Sequence, residues 1–87
     1  MFILNYIGKR VITHISPAVV KDFYGYTFIV PSPFDKCRGT ITHIYDYNLE
    51  MLWLKLDKPQ FAANGLRIDG IPIAYEDCEI IEKEEFN

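Results

Sequence analysis

Apolar and polar residues alternate with a period of two along much of this 87-residue chain, in short runs interrupted by Gly, Pro, Asn and Asp. Such alternation predicts half-buried strands, because successive side chains on a strand point to opposite faces. The first run is Lys9 to Ile15, with Val11, Thr13 and Ile15 on one face and Arg10, Ile12 and His14 on the other. Ser16-Pro17 ends it, since proline lacks an amide donor and biases its predecessor away from helix. A second run spans Cys37 to Tyr45, and Asp46-Tyr47-Asn48 is the turn into a third, Leu49 to Leu56. In that third strand Leu52, Leu54 and Leu56 form the expected core face, and Trp53 opposes them in parity, so either it lies on the outer face or the parity reading fails and it belongs to the core. A tryptophan placed outward is the strongest anchor candidate in the chain.

Further along, Asp57-Lys58-Pro59, Asn64-Gly65 and Asp69-Gly70 read as turns. They bound short strands at Leu66 to Ile68 and Ile71 to Tyr75, the second held to an edge or bulge by Pro72. Tyr75-Glu76-Asp77 suits one helical turn before a last strand, Cys78 to Ile81. Residues 16 to 36 read as a long excursion with some extended structure, a weak helical turn over Ala18 to Phe23, and the aromatic run Phe23-Tyr24-Gly25-Tyr26-Thr27-Phe28. Five or six short antiparallel strands in so small a chain predict an all-β orthogonal barrel, because closure removes sheet edges that invite aggregation.

The order of these pieces resembles the SH3-like small-barrel superfold. Gly8-Lys9-Arg10-Val11 opens a strand, a long first loop follows, and Arg38-Gly39-Thr40-Ile41-Thr42-His43-Ile44 leads through a turn to Leu52-Trp53-Leu54-Lys55-Leu56-Asp57. Ile73-Ala74-Tyr75-Glu76-Asp77-Cys78-Glu79-Ile80-Ile81 then has the form of strand, one-turn helix and final strand. The resemblance implies a barrel domain over residues 1–81 and an acidic tail over 82–87. The acidic first loop and paired aromatics of eukaryotic SH3 domains are missing, so proline-motif binding is not carried over; Tudor-like, KOW-like and Sm-like barrels fit the pattern as well. Short, aromatic, acidic-tailed barrels also resemble the accessory proteins with which phages act on host machinery, which implies a modulator or inhibitor of a host protein. A shared superfold does not fix function.

Charge changes the picture in one respect. The net charge is −3, yet residues 76–87 hold six acids against Lys83 alone, while residues 1–75 carry eight Lys and Arg against six acids, a net of +2. Lys9, Arg10, Lys36 and Arg38 form a candidate basic patch. Met1 to Ile7 lacks the basic start and length of a signal peptide, and no apolar run approaches the roughly 20 residues that span a bilayer. With two cysteines, Cys37 and Cys78, expected as thiols, the expected setting is cytoplasmic and away from membranes.

Candidate chemistry is sparse. The only histidines, His14 and His43, occupy equivalent places in the echo Val11-Ile12-Thr13-His14-Ile15 and Thr40-Ile41-Thr42-His43-Ile44, which would bring them together if the two strands lay in matching register. No ligand spacing of zinc type accompanies them, and no oxyanion motif, glycine-rich phosphate loop or carboxylate pair is evident. The reading is therefore a non-enzymatic domain with no catalytic residues, metal or cofactor. The aromatics Phe23, Tyr24, Tyr26, Phe28, Phe34, Tyr45, Tyr47, Trp53 and Tyr75 exceed what so small a core can bury. Phe28 and one of Phe23 or Phe34 are expected inside. Tyr24, Tyr26, Phe34, Tyr47 and Trp53 are the candidate partner-binding residues, since tyrosine and tryptophan supply large contact area at low entropic cost. A protein partner leads. The alternatives are nucleic acid, bound by base stacking beside the basic patch, and small-ligand capture at a subunit interface. Oligomeric state stays open, with a homodimer among the options.

Overall fold

The structure, a computed structural model, describes residues 2–81; the proposed acidic tail lies outside the described residues. Seven strands run in the order β1 (Arg10–Thr13), β2 (Ala18–Lys21), β3 (Thr27–Val30), β4 (Arg38–Asp46), β5 (Met51–Phe61), β6 (Arg67–Ala74) and β7 (Cys78–Ile80). Short 3₁₀ turns at Phe2–Tyr6 and Tyr75–Asp77 precede β1 and β7. Five strands form one antiparallel sheet, ordered β6-β5-β4-β1-β7, and β2 and β3 pair only with each other.

The core lies on one face of the large sheet. Val11 and Thr13 from β1, Ile41 from β4, Leu52, Leu54 and Leu56 from β5, Ile73 from β6 and Cys78 from β7 are buried there, as the alternation requires. Ile3, from the first 3₁₀ turn, is completely buried over the same face. Burial of each large aliphatic side chain is worth about 1.5–3 kcal/mol. Phe34, Ile44, Ile71, Tyr75 and Ile80 pack around this cluster.

Three expectations change. The sheet is open: among the described residues β6 and β7 do not pair, so the strands do not close into a barrel. Residues 18–30, which might have extended the sheet, are spent on the separate β2–β3 ribbon, and β7 has only three residues with which to reach another edge. Ala18 to Phe23 is not a helical turn; its β-branched Val19 and Val20 sit in β2. Asp57-Lys58-Pro59 and Asp69-Gly70 are not turns but lie inside β5 and β6. At Asp57-Lys58-Pro59 the β5–β6 register shifts between Lys55 and Gln60, which accommodates the proline without ending the strand. The turn at Asn64-Gly65 is present, with Asn64 Oδ1 accepting from Leu66 N–H at 3.0 Å. Pro72 falls on edge strand β6, where a missing donor costs least.

Candidate functional site

Trp53 points away from the core, and what it meets there was not legible from spacing. It pairs with His43 across β4–β5 and with Pro72 across β5–β6. Register shifts at Ile41/His43 and Ile44/Asp46 insert Thr42 and Tyr45 as extra residues in β4. The indole stacks with His43 at a centroid distance of 6.0 Å and an interplanar angle of 18°, and with Tyr45 at 5.9 Å and 28°. A methyl group built on Gly70 would meet three indole atoms at nearly the same distance, 2.8, 2.8 and 2.9 Å. Equal distances to one ring mean that the indole lies flat over the Gly70 backbone. Three nearly parallel rings thus pave the outer face of β4 and β5, with Trp53 half-buried at the centre and Tyr45 exposed at one side.

Along the same face the paving gives way to charge. Lys55 follows Trp53 two residues on in β5, opposite Thr40. Arg10, opposite Thr40 in β1, forms a forked pair with Asp57 through Nη1–Oδ1 at 2.6 Å and Nη2–Oδ2 at 2.5 Å. The Arg10 hydrogen bond holds the Asp57 carboxyl below its ordinary range, with a smaller contribution from Arg38. Both side chains are a third or more exposed, so the pair contributes roughly 0–1 kcal/mol. Lys36, Cys37, Arg38, Asp57, Lys58 and Gln60 line a depression of about 260 Å³ beside it. That is smaller than ordinary small-molecule sites, which run from about 300 Å³.

The basic residues named from sequence divide. Arg10 and Arg38 share the outer face, Lys36 extends to His14 with Nζ 2.5 Å from Nδ1, and Lys9 is exposed just ahead of β1. The histidines also separate. Strands β1 and β4 are antiparallel, with Arg10 opposite Thr40 and Ile12 opposite Arg38, so an echo read in the same direction places His14 and His43 at opposite ends of the pair. His14 Nε2 lies 3.4 Å from both Glu79 carboxylate oxygens, whereas His43 stacks on Trp53. Among the described residues no three His, Cys, Asp or Glu converge as a metal site requires.

No family model matches the chain. Neither a curated protein nor a solved structure matches it. The reading of this protein therefore rests on its own geometry.

The aromatic candidates fall into separate groups. Tyr24 and Tyr26 sit at the tip of the β2–β3 ribbon, and Tyr24 meets Phe23 edge-on at 5.6 Å and 90°. Tyr47 is exposed in the Asp46–Glu50 turn, where Asp46 Oδ1 accepts from Asn48 and Leu49 N–H. Phe34 is half-buried against the core and does packing work there. Phe28 and Phe23, expected among the candidates for the interior, are instead exposed on the ribbon. Tyr45 and His43 were missed because only β-bulges bring them beside Trp53, and bulges leave no mark in a period-two pattern.

Both cysteines are free thiols. Burial pushes Cys78 up to about 12, with Asp77 adding to it, and burial followed by Asp35 raises Cys37 as well. Cys37 Sγ lies near the carbonyls of Pro33 and Asp35 and the Gln60 amide, not near an imidazole. A raised thiol is the opposite of an activated nucleophile. On brief treatment of the native protein with iodoacetamide at pH 8, mass spectrometry of the peptides should show slow modification at Cys37 and none at Cys78 until denaturant is added. Equal labelling of the two in native buffer would contradict the burial of Cys78.

Proposed function

We propose that the protein is a non-enzymatic protein-binding module that holds its partner through the outer aromatic face centred on Trp53. The observation that carries this reading is the His43–Trp53–Tyr45 paving over Gly70, a rigid aromatic surface on a sheet rather than on a loop. Tryptophan and tyrosine dominate the energetics of protein interfaces, and side chains held in place before binding lose little entropy on contact. The strand order β6-β5-β4-β1-β7, with a hairpin excursion between β1 and β4 and a 3₁₀ turn before the last strand, supports an SH3-like arrangement as the scaffold of this surface.

A second reading, single-stranded nucleic acid, draws on a specific observation. Lys55 and Arg38 stand on the same outer face as the rings, and aromatic paving beside cations suits bases and phosphates. The two readings separate by salt. Nucleic-acid binding weakens steeply from 50 to 200 mM salt, while an aromatic protein contact changes little.

The test compares immobilised wild-type protein with Trp53→Ala in a lysate capture, followed by affinity measurement on the recovered partner. A stoichiometric protein should be retained by the wild type, with at least about 30-fold weaker binding by Trp53→Ala, the loss typical of a central anchor. Recovery of no stoichiometric protein, or equal affinity for both forms, would remove the reading. Binding of a short oligonucleotide with a steep salt slope would move it to nucleic acid.

A further inference from the structure

The depression beside the Arg10–Asp57 pair holds charge that the Trp53 face leaves unused. Lys36, Arg38 and Lys58 line it against the single carboxylate of Asp57, in a chain whose net charge is −3. Arg10 occupies both oxygens of that carboxylate, so little of its charge is left to offset the three cations. Among the described residues Arg38 and Lys58 form no ion pair. The Lys36 ammonium rests on His14 Nδ1, with two of its three N–H groups uncommitted. Like charges gathered in a concave site repel one another and raise its potential for an anion.

The backbone is bent to make this gathering. On a regular strand neighbouring side chains point to opposite faces, yet Asp57 and Lys58 line one depression. They can do so because β5 loses its register with β6 between Lys55 and Gln60, and an irregularity of this kind re-aims side chains. At the entry to β4, Lys36 holds φ +59°, a left-handed conformation that glycine adopts freely and lysine does not. Gln60 adds an amide whose nitrogen is held only by a 3.8 Å contact to Cys37 Sγ. Donors from two separate segments thus converge on one opening.

From these features we infer that the depression binds a single phosphate monoester, carried on a phosphorylated side chain of the protein partner. A phosphate monoester presents three acceptor oxygens and close to two negative charges, which a guanidinium and two ammonium groups from different segments can share. A planar carboxylate offers only two oxygens and one charge. At about 260 Å³ the depression has room for such a group and little more, so the rest of the ligand lies on the sheet outside it. Trp53 precedes Asp57 by four residues in β5, about 13 Å along the strand, which one extended peptide segment spans. A nucleic-acid strand suits the face less, because its charge repeats at every nucleotide. Beyond Trp53 the β4–β5 hairpin closes through Asp46 and Glu50, acids where such a strand needs cations. The partner's class rests on the protein-binding reading of the Trp53 face; the phosphate site itself does not.

The test is an NMR titration of the nitrogen-15-labelled full chain at pH 8 and constant ionic strength. The probes are inorganic phosphate, acetate, a capped glycine-phosphoserine-glycine tripeptide, its unphosphorylated form, and a thymidine tetranucleotide without terminal phosphate. Inorganic phosphate and the phosphorylated tripeptide should give the same saturable amide shifts, confined to residues 36–38 and 57–60. Their dissociation constants should lie in the millimolar range, about 10-fold or more below that of acetate. Arg38→Gln/Lys58→Gln should weaken phosphate binding by about 10-fold or more, while Lys55→Gln and Trp53→Ala stay within about 2-fold of wild type. Arg38 and Lys58 are both exposed, so the dispersed spectrum of the folded chain should persist in the double variant. Because Trp53→Ala keeps the phosphate site, a failed lysate capture and a failed titration are separate results. Shifts that do not saturate, acetate binding as tightly as phosphate, or an equal loss in Lys55→Gln overturns the inference. So does inorganic phosphate binding without the phosphorylated tripeptide, while the same shifts from the tetranucleotide would give the site to nucleic acid instead.

Discussion

Gly39→Ala should lower the melting temperature by roughly 12–24 °C, the consequence of about 3 kcal/mol in a domain of this size. Gly39 is buried near the start of β4, opposite Val11 of β1 on one side and Leu56 of β5 on the other. A methyl group there would overlap the Lys55 carbonyl oxygen and come within 2.7 Å of Leu54 Cδ1. Overpacking a core usually costs about 1–3 kcal/mol, and the upper end applies where relief must come from backbone rather than from a side-chain tip. Lys55 is held in register by β4 and by β6, so its carbonyl cannot retreat without loosening two ladders. The exposed neighbour Arg38→Ala should change stability by only about 0.5 kcal/mol. Thermal unfolding followed by circular dichroism checks both, and a Gly39→Ala form melting within a few degrees of wild type would mean that β4 and β5 do not approach as described.

Gly39 also shows where sequence reading runs out. Period-two alternation located β1, β4, the start of β5 and the last strand, and it assigned Leu52, Leu54 and Leu56 inward, because one buried face leaves a clear parity, while Trp53 stayed open between core and surface until the structure placed it outward. Glycine and proline were harder. Gly70 follows Asp69 and reads as a turn, yet it sits in a strand because the Trp53 indole needs the space. Pro59 reads as a strand end, yet β5 continues past it through a register shift. In both cases the local signal was genuine and a neighbour distant in sequence overrode it. The candidate site was half legible for the same reason: parity singles out Trp53, whereas His43 and Tyr45 arrive beside it only through bulges. The β2–β3 ribbon was missed as an element because Phe28 was assigned to a core that, once formed from aliphatic residues, has no place for it.

Thr13→Val should cost about 1–3 kcal/mol, from two part-buried hydrogen bonds lost at about 0.5–1.5 kcal/mol each. Thr13 is fully buried, the one buried polar side chain among the described residues. Its hydroxyl donates to the Phe34 carbonyl and accepts from Cys37 N–H at 2.9 Å. The backbone reinforces the contact, with Thr13 N–H to Cys37 O and Lys36 N–H to Thr13 O, both at 2.9 Å, and Asp35 Oδ1 accepts from Ile15 N–H at 2.7 Å. Together these bonds fasten the chain where the excursion carrying the β2–β3 ribbon leaves β1 and returns to β4. Valine matches threonine in shape, so the loss isolates the hydroxyl. Thr13→Ser keeps both hydrogen bonds and should cost only about 1 kcal/mol for the missing methyl. Urea denaturation gives the stability difference, and the rate of Cys37 alkylation reports the clamp directly, because Cys37 N–H is one of its partners. Valine should speed that alkylation and serine leave it near wild type. Equal stability of the valine and serine forms would mean that the hydroxyl does not clamp the excursion.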